Sequence, residues 1–151
     1  MIKDITFEQI ADVWKTELWL NRTSKITEHS SMMLRGGFDI SYHNTTAHHW
    51  GIFSEDNIIA VLSGHPTDSN FRIRGLWVDS DFRGRGIAGV LFKNAEEVAK
   101  TYNSNLLWTY PRNSSLHSYC KYGFSITQGP IEDLTEKNGP YWYVVKEISY
   151  E

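Results

Sequence analysis

Residues 84–89 read Gly-Arg-Gly-Ile-Ala-Gly, with Arg83 immediately before them. Glycines at that spacing reach positive φ and let backbone N–H groups approach an anion closely. A helix opening behind them adds the positive partial charge of its N-terminus. The chemistry such a loop supports is the holding of a phosphate, with the Arg83 and Arg85 side chains as further charge partners. Arg72 and Arg74, two residues apart, share one face of any strand they occupy. Facing a cleft, the pair could hold a carboxylate or phosphate; on a hairpin surface it would simply be solvated. Six histidines are scattered without metal-ligand spacing, and Cys120 is the only cysteine, so no metal site is expected. Cys120 itself reads as a packing residue.

These groups need elements to place them. A short strand is expected over residues 2–5. Thr6 then reads as an N-cap, with Gln9 three residues on completing a capping box. Phe7, Ile10, Ala11, Trp14 and Leu18 follow at helical spacing, which predicts an amphipathic helix over 7–20. A weaker second helix is expected near 27–35, stopped by Gly36-Gly37. The period then changes to that of strands at 48–54 and 57–63, joined by a tight turn at Glu55-Asp56, and again at 70–78. Gly75 interrupts the alternation of that third strand, which suggests a bulge or a close backbone approach. The strongest helical pattern covers 84–102, with Ile87, Val90, Leu91, Ala95, Val98 and Tyr102 on one face. A buried strand at 106–110 stops at Pro111, and a short helix over 114–122 ends at Gly123. Strands at 125–128 and 141–148 flank a polar stretch at 132–140, read as a mobile loop.

The hairpin strands must be antiparallel, whereas the strand–helix–strand unit from 76 to 110 requires a parallel crossover. A single α+β domain with a mixed, mostly antiparallel sheet of about seven strands and about four helices follows. The length of 151 residues suits one domain. A net charge of −3 argues against a nucleic-acid partner, because phosphate neutralisation needs a basic excess. No apolar run approaches the ~20 residues that span a bilayer, and the first residues lack a signal-peptide layout. No membrane partner and a cytoplasmic location are therefore expected.

The loop also matches the dinucleotide fingerprint G-x-G-x-x-G. That reading fails on context: the motif lies mid-chain, residues 80–83 separate it from the strand, and the next strand ends without an acid. The longer stretch Leu76-Trp77-Val78-Asp79-Ser80-Asp81-Phe82-Arg83-Gly84-Arg85-Gly86-Ile87-Ala88 instead resembles the acetyl-CoA motif of the GNAT superfamily of N-acetyltransferases. Arg83, Gly86 and Ala88 occupy its defining positions; Ser80 stands where the turn usually carries proline. Tyr119-Cys120-Lys121-Tyr122-Gly123-Phe124 resembles the superfamily's Tyr-x-x-x-Gly-Phe. Counting back, Arg112 and Ser115 fall where it often has Asn or Arg and then a small residue, with Asn113 the other candidate for the polar position.

The resemblance implies acetyl-CoA as co-substrate, lying in a gap where the strands at 70–78 and 105–110 splay apart. It places Trp77 and Val78 beside the pantetheine arm and Gly84, Arg85, Gly86, Ile87, Ala88 and Gly89 around the pyrophosphate, with Arg83, Arg112, Asn113 and Ser115 as further contacts. It gives Tyr119 the role of general acid toward the thiolate and the Val78 backbone N–H that of oxyanion donor. The acceptor would be a primary amine of a small molecule or peptide, with Arg72 and Arg74 as candidate contacts, and a homodimer is a further expectation. The general base stays open among Asp79, His48, His49, His65 and water. A non-catalytic acyl-CoA-binding module on the same fold is the alternative reading.

Overall fold

A computed structural model describes residues 1–20, 25–28, 45–132 and 140–150. The chain starts with β1 (Ile2–Asp4) and enters α1 (Phe7–Val13) through the expected capping box. Thr6 Oγ1 accepts from Gln9 N at 3.1 Å and Gln9 Oε1 accepts from Thr6 N at 2.8 Å. The α-helix stops early. Residues Trp14–Leu18 form a π-helix, closed by Trp19 N–H donating to Trp14 O at 2.6 Å. At α-helical pitch residues five apart point well away from each other; the wider turn brings them to one side. The Trp14 and Trp19 rings accordingly pack at 4.7 Å. The expected helix near 27–35 falls largely outside the described residues; Thr27 and Glu28, at its start, are not helical.

The strands β2 (His48–Ser54), β3 (Asn57–Thr67) and β4 (Asn70–Val78) form an antiparallel meander. β3 runs four residues beyond its expected end, through Gly64 and Pro66. Gly64 is there for space: a Cβ would meet the Phe71 ring at 2.5 Å. Beyond a 3-10 turn (Ser80–Phe82), α2 (Ile87–Thr101) begins three residues later than its apolar pattern suggests. Gly84 and Gly86 hold φ of 76° and 78°, which no α-helix contains. The remaining elements are β5 (Leu106–Thr109), α3 (Asn113–Tyr122), β6 (Ser125–Ile131) and β7 (Tyr141–Glu147).

All seven strands join one sheet in the order β1-β2-β3-β4-β5-β7-β6, with β4–β5 the parallel pair. Three α-helices stand among the described residues, against about four expected. On one face, Leu91, Phe92, Ala95 and Ala99 of α2 bury against Leu62, Phe71, Ile73, Leu107 and Val144. On the other, Ile10 and Trp14 close over Ile5 and Val61. Burial of that kind contributes ~1.5–3 kcal/mol for each large apolar side chain and sets the strand register. Among the described residues no helix is long and apolar enough to cross a membrane. The polar stretch expected as a mobile loop lies mostly outside the described residues.

Candidate active site

The site is made by a strand that bends away from its neighbour. β4 and β5 pair only at Phe71↔Leu107 and Arg72↔Trp108, and then part. The cause lies in β4 itself. Opposite Leu62 the register slips, so that Gly75 and Leu76 face one residue of β3 where two would pair. Gly75 takes φ of 71°, and the bulge increases local twist. Past the bulge Asp79 N–H donates to Ile59 O at 2.7 Å. Strand alternation then turns the Val78 N–H away from β3, toward the side β5 has left. Trp77 and Val78 are both half-buried there.

The glycine loop continues from that strand end. Asp79 caps the 3-10 turn by accepting from Asp81 N at 2.9 Å, and Arg83 Nε donates to Val78 O at 2.9 Å. Arg83 thus ties the loop to the strand, while Arg85 stacks over Phe82 at 5.1 Å. Gly84 and Gly86 are exposed, and a Cβ at either would meet nothing within 4 Å. Their glycine is needed for backbone conformation, and the space beside them is open. Gly86 is the N-cap of α2 and offers no side chain, and the first intrahelical bond runs from Val90 N to Gly86 O at 3.3 Å. The preceding amides of Ile87, Ala88 and Gly89 are the orphan donors of a helix start, aimed at the open side of the loop. A pyrophosphate fits that donor set. Ile87 and Ala88 turn their side chains onto the core.

Tyr119 lies on α3, 2 % exposed, between Phe92 at 4.8 Å and Phe124 at 5.3 Å. Its hydroxyl bonds Thr109, the last residue of β5, with Arg72 close enough to act on it electrostatically. Burial pushes its phenol well above the ordinary tyrosine range; Arg72 and Thr109 pull the other way and do not win. Tyr119 therefore keeps its proton at the base of the splay. Ser115 bonds back to the Arg112 carbonyl, at 3.3 Å from its Oγ, and Asn113 is exposed. Arg112 does something the sequence did not suggest: Nη2 donates to Leu18 O at 2.9 Å, fastening the end of the π-helix to the start of α3.

The α1 side of the sheet carries a row of buried polar groups. Arg72 and Arg74 are 4 % and 3 % exposed, so the solvated-hairpin alternative for this pair is overturned. Each lies over an indole, Arg72 over Trp108 at 5.2 Å and Arg74 over Trp14 at 4.6 Å. Arg74 Nη2 also donates to the carbonyls of Thr27 and Glu28 at 2.8 and 2.5 Å, which fixes that segment over the strand. His49, in register with Ser63 and through it with Arg74, sets Nε2 3.1 Å from Glu28 Oε2 and Nδ1 2.9 Å from Ser63 Oγ. Ser63 Oγ gives its own proton to the His48 carbonyl at 2.8 Å. Burial holds the His49 pKa below its usual 6.5, with Glu28 the main opposing influence.

The other base candidates separate. His48 points to the opposite face and lies 2.7 Å from the Tyr102 hydroxyl; His65 is buried beside Thr45; Asp79 serves as a cap. Among the described residues no three His, Cys, Asp or Glu side chains gather as a metal site would require. Sequence reading missed Glu28 and Thr109, which only the fold brings to His49 and Tyr119.

A family model described as the acetyltransferase (GNAT) family matches residues 11–124, from α1 through α3 to Phe124. The chain belongs to the GNAT acetyltransferase family. As a GNAT enzyme it shares its fold with solved structures of low identity. An aminoglycoside 6'-N-acetyltransferase complexed with coenzyme A superposes with a TM-score of 0.70 at 12% identity, covering 100% of this chain and 98% of that one. Ard1 from Thermoplasma volcanium gives 0.69 at 16%, covering 99% and 97%. A GNAT-family acetyltransferase from Staphylococcus aureus Mu50 gives 0.68 at 14%, covering 99% of both. A search of curated proteins finds no match to the sequence.

Proposed function

We propose that this GNAT enzyme transfers the acetyl group of acetyl-CoA to a primary amine by direct attack in a ternary complex. One juxtaposition carries the reading: the amide of Val78, the phosphate-ready loop at 83–89 and the Tyr119–Thr109 pair all border the same splay between β4 and β5. The coenzyme A found with a structural neighbour of the same fold agrees with it. The pantetheine arm lies along the unpaired edge of β4 as an added strand would. The pyrophosphate takes the amides of Ile87, Ala88 and Gly89, with Gly84 and Gly86 giving it room and Arg83 and Arg85 adding charge.

The neutral amine attacks the thioester carbonyl carbon, and the carbonyl oxygen gains negative charge. The Val78 N–H stabilises that oxyanion. The C–S bond then breaks and Tyr119 gives its proton to the departing thiolate, which leaves as free CoA. The amine proton passes through water to the His49–Glu28 pair, whose Glu28 carboxylate is half exposed. His49 stands two strands from β4, roughly 10 Å at ~4.8 Å per strand, so direct contact with the amine is not required of it. Arg72 is assigned to a carboxylate or phosphate on the acceptor. Arg74 has its Nη2 on two backbone carbonyls and holds the 25–28 segment.

The test is thiol release from acetyl-CoA across a panel of primary amines, with wild type and Tyr119→Phe compared. Turnover with at least one amine, lowered about 100-fold in kcat by Tyr119→Phe at unchanged CoA affinity, is the expected result. CoA binding without turnover on any amine would favour the non-catalytic acyl-CoA-binding module.

A further inference from the structure

Trp14 is a fully buried side chain on the α1 face, and in sequence it reads as one more member of the apolar stripe. Its indole does more than fill space. Nε1–H donates to the carbonyl of Gly75 at 2.8 Å, across 61 residues of chain. Gly75 is the positive-φ residue of the bulge. A Cβ on Gly75 would stand 2.3 Å from Trp14 Nε1 and 2.4 Å from Cε2, so the ring lies directly on the bulge backbone. Trp14 is the first residue of the π-helix. Trp19 packs against one side of it at 4.7 Å, Arg74 stacks over it at 4.6 Å, and Arg112 holds the last π-helical carbonyl, that of Leu18.

We infer that Trp14 is a positioning residue of the transfer reaction: its indole N–H holds the Gly75 carbonyl and thereby fixes the bulge that aims the β4 amides, Val78 among them, into the splay. The inference rests on the proposed acetyl-CoA site. A bulge is a soft place in a strand, because its extra residue is left out of the ladder. Holding one peptide plane of the bulge by a hydrogen bond fixes the orientation of the planes that follow. An oxyanion donor is useful only if it is aimed before the charge develops, since reorientation during the reaction costs the stabilisation it would give. A misplacement of about 1 Å at such a donor is enough to lower a rate roughly 100-fold. Trp14 touches neither the cofactor nor the reacting atoms in this scheme; it acts through Gly75.

Replacing Trp14 with its benzothiophene isostere, 3-benzothienylalanine, removes the N–H and keeps the ring; Trp14→Phe serves as the encoded counterpart. For each protein, acetyl-CoA carrying a ¹³C carbonyl is bound without amine and its thioester carbonyl stretch recorded, alongside the affinity for CoA and kcat. In the wild type the bound carbonyl should absorb at lower frequency than free acetyl-CoA, as a hydrogen-bonded thioester does. Both replacements should move the band back toward the free value and lower kcat by roughly 10- to 100-fold, with CoA affinity changed less than twofold. An isostere with wild-type band position and kcat overturns the inference and leaves the acetyl-CoA site standing. A wild type that binds no acetyl-CoA overturns both. Phenylalanine can loosen the core, so the isostere decides where the two disagree.

Discussion

At the level of single residues, the proposed function divides between groups whose type announces them and groups that matter only through a partner. Gly84 and Gly86 belong to the first kind: their spacing is legible in sequence because positive φ and close approach to an anion both demand glycine. Gly86→Ala meets no steric obstacle, so folding should weaken only by the ~1–2 kcal/mol of left-handed backbone, read from urea unfolding. CoA affinity, read by calorimetry, should fall at least about tenfold, because the new methyl occupies the phosphate's side of the loop. Unchanged affinity would remove the loop from the cofactor site. The role proposed for Tyr119 comes from the Gly-Phe that follows it in sequence, but its bond to Thr109 was not legible, since nothing in a β-strand threonine marks it as a tyrosine's partner. Glu28 was hidden for the same reason. It raises the His49 pKa against burial, so Glu28→Gln should lower that pKa further, as followed by NMR of the imidazole. An upward shift, or none, would show that the pair does not interact as described.

Among the elements, the strands and the two longer helices follow from periodicity, and their ends differ where local chemistry overrides it. The start of α2 moves from 84 to Ile87 because two glycines take positive φ; β3 continues past Gly64 because Phe71 packs over it. The π-helix at Trp14–Leu18 was not legible. The contacts around it are long-range, Trp14 Nε1–H to Gly75 O at one end and Arg112 to Leu18 O at the other, and no pattern within residues 7–20 reports them. Gly75→Ala adds a methyl where the Trp14 ring already lies and also strains the backbone. The combined cost should be about 3 kcal/mol in urea unfolding. Trp14→Ala makes room for that methyl, so in its background the same substitution should cost at least about 1 kcal/mol less. Equal costs in the two backgrounds would mean that ring and bulge are independent.

For the whole molecule, composition and element order already indicated a mixed sheet with one parallel crossover, and the observed order β1-β2-β3-β4-β5-β7-β6 gives that crossover a use. The parallel pair is where the sheet opens. What sequence could not supply is which face of the sheet is polar, because Arg72, Arg74, His49 and Ser63 come from three strands and meet only in register. The two adjacent histidines of β2, one on each face, set a pH dependence. His48 and His49 both have folded-state pKa values below 6.5, with burial the largest cause. The unfolded chain therefore takes up protons that the folded one refuses. Stability should be full above pH 6.5 and decline as pH falls through the depressed values, at up to ~1.4 kcal/mol per pH unit for each histidine. Urea midpoints between pH 8 and 5 check this, and His49→Gln should flatten part of the decline.

The central claim is that coenzyme A occupies the splay of β4 and β5 with its pyrophosphate on the loop at 83–89. An amide-resolved NMR titration of the ¹⁵N-labelled protein with CoA tests it directly. The largest shifts should fall on Val78, Gly84, Gly86 and the first turn of α2 from Ile87 to Gly89, with the far edge at β1 and β2 unmoved. Saturable shifts centred on another face, or none at millimolar CoA, would contradict it.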